Sequence, residues 1–173
     1  MCGRARPHRS TRSTTVSDAV PYTAETLPYG ELVPVTVHFD DLDALGMLHN
    51  SRFPLLVERA WGAYWHGHGF GFAGDWASAG DMANVIKEMR VSYEAPITRP
   101  GTYAAHLWVE KLGRTSLTYG FRVCSADGAT TYAQGHRVLV RVDAQTLRPT
   151  PWTDEARAIA RKLARPEALP DAS

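Results

Sequence analysis

Asp41 and Asp43 lie two residues apart in the run Asp40-Asp41-Leu42-Asp43-Ala44-Leu45-Gly46-Met47-Leu48-His49-Asn50. A carboxylate on such a loop can attack an acyl carbonyl, or activate a water against it, acting as nucleophile or as general base. Either route builds negative charge on the carbonyl oxygen, and that charge needs donors. A helix N-terminus supplies them, because its first N–H groups lack partners inside the helix and its dipole favours an anion. A helix is expected to start at Asn50 or Ser51, and Asp43 stands seven residues before Asn50 on a loop that must return to it. Acidic loops before helices also serve as plain caps and solvated turns, so spacing alone leaves both readings open.

Other candidates surround this run. Glu58 can be catalytic, can orient the loop, or can sit in an ordinary ion pair, with Arg59 as its companion or facing solvent. His49 reads as a polar residue near the helix cap and as a possible substrate contact beside the oxyanion position. His66-Gly67-His68, with His38 or His49 as a third ligand, invites a metal reading. It lacks the Cys or carboxylate spacing of zinc sites, and no metal is expected. Gly67 to Gly74 is rich in glycine, but no Lys-Ser/Thr follows it as a phosphate loop requires. It reads as a flap beside a substrate channel. Phe53, Trp61, Trp65, Phe70, Phe72 and Trp76 can line an acyl pocket or fill the core.

The elements that must position these residues follow from periodicity. Leu32, Val33, Val35, Val37 and Phe39 read as a first strand with mostly alternating apolar positions. Phe53, Leu56, Val57, Ala60, Trp61 and Tyr64 form one helical stripe, with Pro54 tolerated in the first turn and Gly67 and Gly69 as the stop. Four strand-like runs follow: Met82 to Glu94, Thr102 to Leu112, Thr115 to Ser125 and Thr130 to Val142. Turn residues at 96–101, Gly113-Arg114 and Asp127-Gly128 separate them. Thr153 before Asp154 and Glu155 opens a short basic helix. Strand, long helix and antiparallel meander make an α+β fold in which the sheet wraps the helix.

Composition bounds the rest. The chain has 173 residues, a formal net charge of +1 and 44% hydrophobic residues, which suits one globular domain and speaks against a nucleic-acid binder. Two cysteines, Cys2 and Cys124, make no disulfide framework, so a cytoplasmic setting is expected, with Cys124 a buried apolar residue. No apolar stretch approaches membrane-spanning length. Residues 1–29 carry Arg4, Arg6, Arg9 and Arg12 among Ser and Thr without an apolar run or face, and read as a disordered extension or a start placed too far upstream. The domain is expected over residues 30–164, with 165–173 as a tail.

The run from Asp41 to Phe53, with Glu58-Arg59-Ala60 on the following helix, resembles the 4-hydroxybenzoyl-CoA thioesterase family of hotdog folds. Lys111-Leu112-Gly113-Arg114-Thr115-Ser116 resembles the family's turn between two central strands, and the likeness extends loosely over residues 31–160. It departs at Met47, where many relatives have His, at His49, where many have Asn, and at Leu45, often a small residue. The resemblance implies a hotdog fold and an acyl-CoA thioesterase with Asp43 as the catalytic aspartate and Glu58 as the helix glutamate. Asn50 and His49 open the helix beside them. Coenzyme A carries three phosphate groups, and of Lys111, Arg114, Arg90, Arg99 and Arg137 the resemblance favours Lys111 and Arg114, with Thr115 in the same turn. Coenzyme A enters as part of the substrate, with no other cofactor, and an acyl-carrier-protein thioester is the alternative. Unpaired sheet edges predict a homodimer or homotetramer, and the resemblance puts the active site at the subunit interface. A hotdog hydratase or dehydratase and a non-catalytic acyl-CoA-binding protein are the rival readings. The first usually pairs an Asp with a His on a differently patterned helix start, and a regulator would carry an added DNA-binding helix pair.

Overall fold

Alternation in the first strand and a 3.6-residue stripe in the long helix decide which faces meet. The computed structural model describes residues 27–71, 74 and 78–166. β1 (Glu31–Val37) leads into α1 (Arg52–Gly67), then β2 (Asn84–Tyr93), β3 (Gly101–Leu112), β4 (Ser116–Ser125), β5 (Thr131–Arg141) and α2 (Asp154–Lys162). The strands form one antiparallel sheet in the order β1-β3-β4-β5-β2, and the sheet curls around α1 as a hotdog fold. Val33, Val35 and Val37 are buried from β1, and Ala105, Leu107, Val109, Tyr119, Phe121 and Val123 from the middle of the sheet. Against them α1 packs the expected stripe together with Trp65. Trp61 lies flat on Tyr119, the ring centroids 3.9 Å apart.

Two expectations are corrected. Phe39 does not continue β1: it opens a 3-10 turn, Phe39–Asp41, and is 83% exposed. The alternation ends at Val37 because Asp41 takes the next free backbone donor, the His38 N–H, at 2.8 Å. Nor do four strands form a meander. β3, β4 and β5 do, but β2 pairs with β5 at the far edge, from Asn84↔Arg141 to Tyr93↔Ala133. The connection from β2 to β3 is too long for a tight hairpin and is held by buried Ile97, whose carbonyl accepts the Leu48 N–H at 2.8 Å.

The two edges of the sheet differ. On one side β1 carries Pro34, which has no N–H to offer. Beyond the first residue of β1, which pairs with Leu107, residues 163–165 continue the cover: Val109 donates to Leu163 and accepts from Arg165. On the other side β2 is an exposed strand, with Val85 45%, Ile86 52% and Tyr93 51% exposed and a bulge between Ile86 and Glu88. Tyr29 and Arg165, just outside the domain by composition, pack on β3, with the Arg165 guanidinium over the rings of Tyr29 and Trp108. The remaining residues of both expected tails lie outside the described residues, except Leu27, Pro28 and Pro166.

Asp81 fastens the last helix. Its Oδ1 accepts the Thr153 N–H and its Oδ2 the Thr153 hydroxyl, while Arg141 pairs with it at 2.8 Å. The Thr153 hydroxyl oxygen also accepts from the Ala156 N–H, capping α2 where the sequence expects it.

Candidate active site

The acidic loop folds back on itself. Leu42 and Leu48 pair across its base, Asp43 N–H donates to the Met47 carbonyl at 2.7 Å, and Gly46 N–H returns to the Asp43 carbonyl at 2.9 Å. Gly46 makes this possible with φ of +74°, a conformation costly to any residue with a Cβ. At this turn Asp43 Oδ1 accepts the N–H groups of Leu45 and Met47, at 2.8 and 3.1 Å. Its other oxygen, Oδ2, makes no hydrogen bond to the described residues. The loop thus orients one oxygen and leaves the second available for chemistry.

The cleft beside it holds about 420 Å³ and is lined by Asp43, Met47, Leu48, His49, Asn50, Phe53 and the segment Tyr93 to Pro96. α1 points its start here. Ser51 is the N-cap residue, but no side chain caps the helix. Instead the Ser51 hydroxyl lies 2.9 Å from His49 Nδ1, and the Ser51 N–H donates to the same nitrogen at 3.3 Å. A backbone N–H can only donate, so Nδ1 is the acceptor and the neutral ring carries its proton on Nε2. The Asn50 carbonyl accepts the Tyr93 hydroxyl at 3.3 Å, and the ring of Tyr93 meets Phe53 edge-on. The Asn50 side chain has no partner among the described residues. A half-buried carboxylate and an uncapped helix start therefore face one space, the arrangement acyl transfer needs.

Of the other candidate residues, Glu58 lies outside this lining. It forms an ion pair with Arg137, which is buried between α1 and the sheet and also donates to the Tyr119 hydroxyl at 3.0 Å. Arg137 is therefore no surface cation for a phosphate. Burial works against its charge, but Tyr119 and Glu58 outweigh it and hold its pKa above the ordinary value. Burial pushes the Tyr119 hydroxyl upward, so it stays protonated. Arg59 is exposed and is not the partner of Glu58. Trp61 and Trp65 are core residues, whereas Phe53 serves both core and cleft; Phe72 and Trp76 lie outside the described residues. His68 Nδ1 is 2.9 Å from the Tyr64 carbonyl, and among the described residues no three His, Cys, Asp or Glu side chains gather as a metal site. Cys124 is buried, and burial raises its thiol pKa.

Lys111 is near the end of β3, and Arg114 and Thr115 sit in the β3–β4 turn that follows, with Lys111 and Arg114 exposed. β3 runs from the cleft end of the sheet, where Gly101 pairs with Val37, to this turn. Over its 12 residues that is roughly 35 Å. One copy of the chain does not bring the turn to its own cleft. Tyr93 and the Glu94–Pro96 connection are cleft residues that the sequence does not reveal, since the crossover from β2 to β3 alone puts them beside His49.

A family model described as the thioesterase superfamily matches residues 45–132, about half of the chain. The chain belongs to the thioesterase superfamily. The match includes His49, Asn50, Glu58 and the 111–115 turn, and begins two residues after Asp43. A thioesterase from Thermus thermophilus, crystallised with coenzyme A and zinc, is 30% identical over 80% of this chain and 96% of its own, with a TM-score of 0.63. A Pseudomonas aeruginosa protein reaches a TM-score of 0.70 at 22% identity, covering 82% of this chain and 96% of its own. A DHNA-CoA thioesterase from Staphylococcus aureus reaches 0.63 at 19% identity, over 76% and 88% of the two chains. The last two likenesses concern the fold. No curated protein sequence matches. This thioesterase is a thioester hydrolase, and no helix among its described residues is long and apolar enough to cross a membrane.

Proposed function

We propose that the chain hydrolyses acyl-coenzyme A thioesters to the free acid and coenzyme A, with Asp43 as the reacting carboxylate. The observation that carries this reading is the cleft shared by Asp43, of which only Oδ1 is bonded among the described residues, and the start of α1, which no side chain caps. As general base, Asp43 takes a proton from water, and the hydroxide adds to the thioester carbon. The oxyanion is held by the Phe53 N–H, since the Arg52 N–H is bonded to the His49 carbonyl and Pro54 has none, assisted by Asn50 and by His49 Nε2–H. Collapse expels the thiolate, which takes up the proton from Asp43, so water and thioester become acid and thiol. As nucleophile, Asp43 forms an acyl anhydride that water then cleaves, with the same balance. Glu58, fixed by Arg137, acts on the helix flank rather than on the reacting atoms. No step requires a metal or a redox group.

Coenzyme A is favoured over a carrier protein by the coenzyme bound to the Thermus relative. The nucleotide end falls to Lys111, Arg114 and Thr115 of a second copy. Antiparallel pairing of two β2 edges brings the Tyr93 end of one copy beside the Asn84 end of the other. That end adjoins Arg141, and through β5 the start of β4 and its turn. A homodimer so built joins the carboxylate of one chain to the cations of its partner, and a tetramer pairs two such dimers.

The test is free-thiol release from a panel of fatty and aromatic acyl-CoA thioesters, with coenzyme A binding measured separately. Turnover that vanishes in Asp43→Asn while the fold and coenzyme A binding persist supports the reading. Binding without turnover on every thioester would make the protein a carrier instead.

A further inference from the structure

Asp41 does not line the cleft, yet it governs how the cleft is assembled. It is 5% exposed, and every polar group on it is engaged. Its N–H donates to the His38 carbonyl at 3.2 Å, and its own carbonyl accepts the His49 N–H at 3.1 Å. Oδ2 accepts the His38 N–H at 2.8 Å, and Oδ1 faces Arg52 Nε at 3.4 Å. Those partners belong to three separate pieces: the exit of β1, the polar run before the helix, and the first residue of α1. A short turn needs none of this, because an exposed Ser or Asp serves one equally well. Burying a carboxylate is costly unless it is paired, and Arg52 provides the pair. Arg52 is itself poorly placed, since a cation in the first turn opposes the helix dipole, and Asp41 is what balances it.

The loop from Leu42 to Leu48 is closed by its own hydrogen bonds, so the placement of its base sets the placement of Asp43. We propose that Asp41, acting through Arg52, is a positioning residue that sets the separation between the Asp43 carboxylate and the Phe53 N–H at the start of α1. This rests on the reading of Asp43 as the reacting group. Neither Asp41 nor Arg52 touches the reacting atoms. The Asp41–Arg52 pair ties the base of the loop to the oxyanion end of the helix, and misplacement of about 1 Å between such groups can cost about a hundredfold in rate.

Arg52→Gln and Asp41→Asn are the tests, with Arg52→Lys as the conservative variant. The Arg52 side chain is 41% exposed, so its replacement opens no cavity in the core. Measured well below each variant's melting temperature, kcat should fall about 10- to 100-fold while KM and coenzyme A affinity change less than about threefold. Arg52→Lys should recover part of the loss. In an Asp43→Asn background, Arg52→Gln should cost less than about twofold further, because no carboxylate is left to place. A kcat within about twofold of the parent in folded Arg52→Gln and Asp41→Asn overturns the proposal, as does a full additive loss in the Asp43→Asn background. Full turnover in Asp43→Asn itself refutes the underlying reading instead, and so separates the two failures.

Discussion

The two ends of the sheet solve opposite problems. At the end where β2 finishes, Asp43 Oδ2 and the Asn50 side chain have no partner among the described residues, no side chain caps α1, and Asp43, Asn50 and Phe53 border one cleft. At the end where β2 begins, the carboxylate is spent. Both carboxylate oxygens of Asp81 are bonded, Thr153 caps α2, and Arg141 closes the cluster. A carboxylate with one oxygen unbonded suits chemistry and one with both bonded suits anchoring, although the buried Trp152 Nε1 beside Asp81 also lacks a hydrogen-bond partner. The same division puts the cations Lys111 and Arg114 at the anchoring end, away from the carboxylate they are proposed to serve.

Asp43→Asn tests the chemical end most severely. Loss of a general base costs about a hundred- to ten-thousandfold in turnover, and loss of a nucleophile more, whereas a merely capping Asp43 would leave kcat within a few-fold. Next comes the joining of the two ends. Chains carrying Asp43→Asn should be unfolded and refolded together with chains carrying Lys111→Ala and Arg114→Ala. If each cleft draws on two chains, about a quarter of the sites are then intact at equal mixing. Activity at low substrate should exceed that of either parent, and a chain bearing all three changes should not be rescued. A smaller effect is expected from Lys111→Ala with Arg114→Ala alone: KM for acyl-CoA rises about tenfold with little change in kcat, and the rise disappears for a pantetheine thioester. Equal impairment on both thioesters would remove these residues from coenzyme A binding. The smallest effect belongs to Thr153→Ala, which should lower stability by about 1–2 kcal/mol in denaturant titration and leave kcat unchanged.

Much of this was legible from the residues. The α1 stripe from Phe53 to Tyr64, the cap at Thr153 and the inward set Ala105, Leu107 and Val109 follow from period and capping chemistry. The order of strands was not, because pairing of β2 with β5 depends on a crossover that leaves no local pattern. For the same reason Tyr93 and Pro96 give no sign in sequence that they border His49. Arg137 did leave a sign. It shares the period-2 face of Ala133 and Leu139 in β5, and a charged residue on an inward face predicts an opposite charge within reach, which is Glu58. The Asp41–Arg52 pair was hidden because an acidic run before a helix looks solvated until burial is known.

Pro34 and residues 163–165 have a consequence for stoichiometry. A sheet with two open edges can add neighbours in both directions and grow into a ribbon without end. Among the described residues, Pro34 and residues 163–165 interrupt the β1 side while β2 is open, so the proposed pairing would use the β2 edge of each molecule at the first encounter. If copies join through β2 as proposed, sheet growth by strand pairing would stop at two copies, and a higher concentration would add pairs rather than lengthen them.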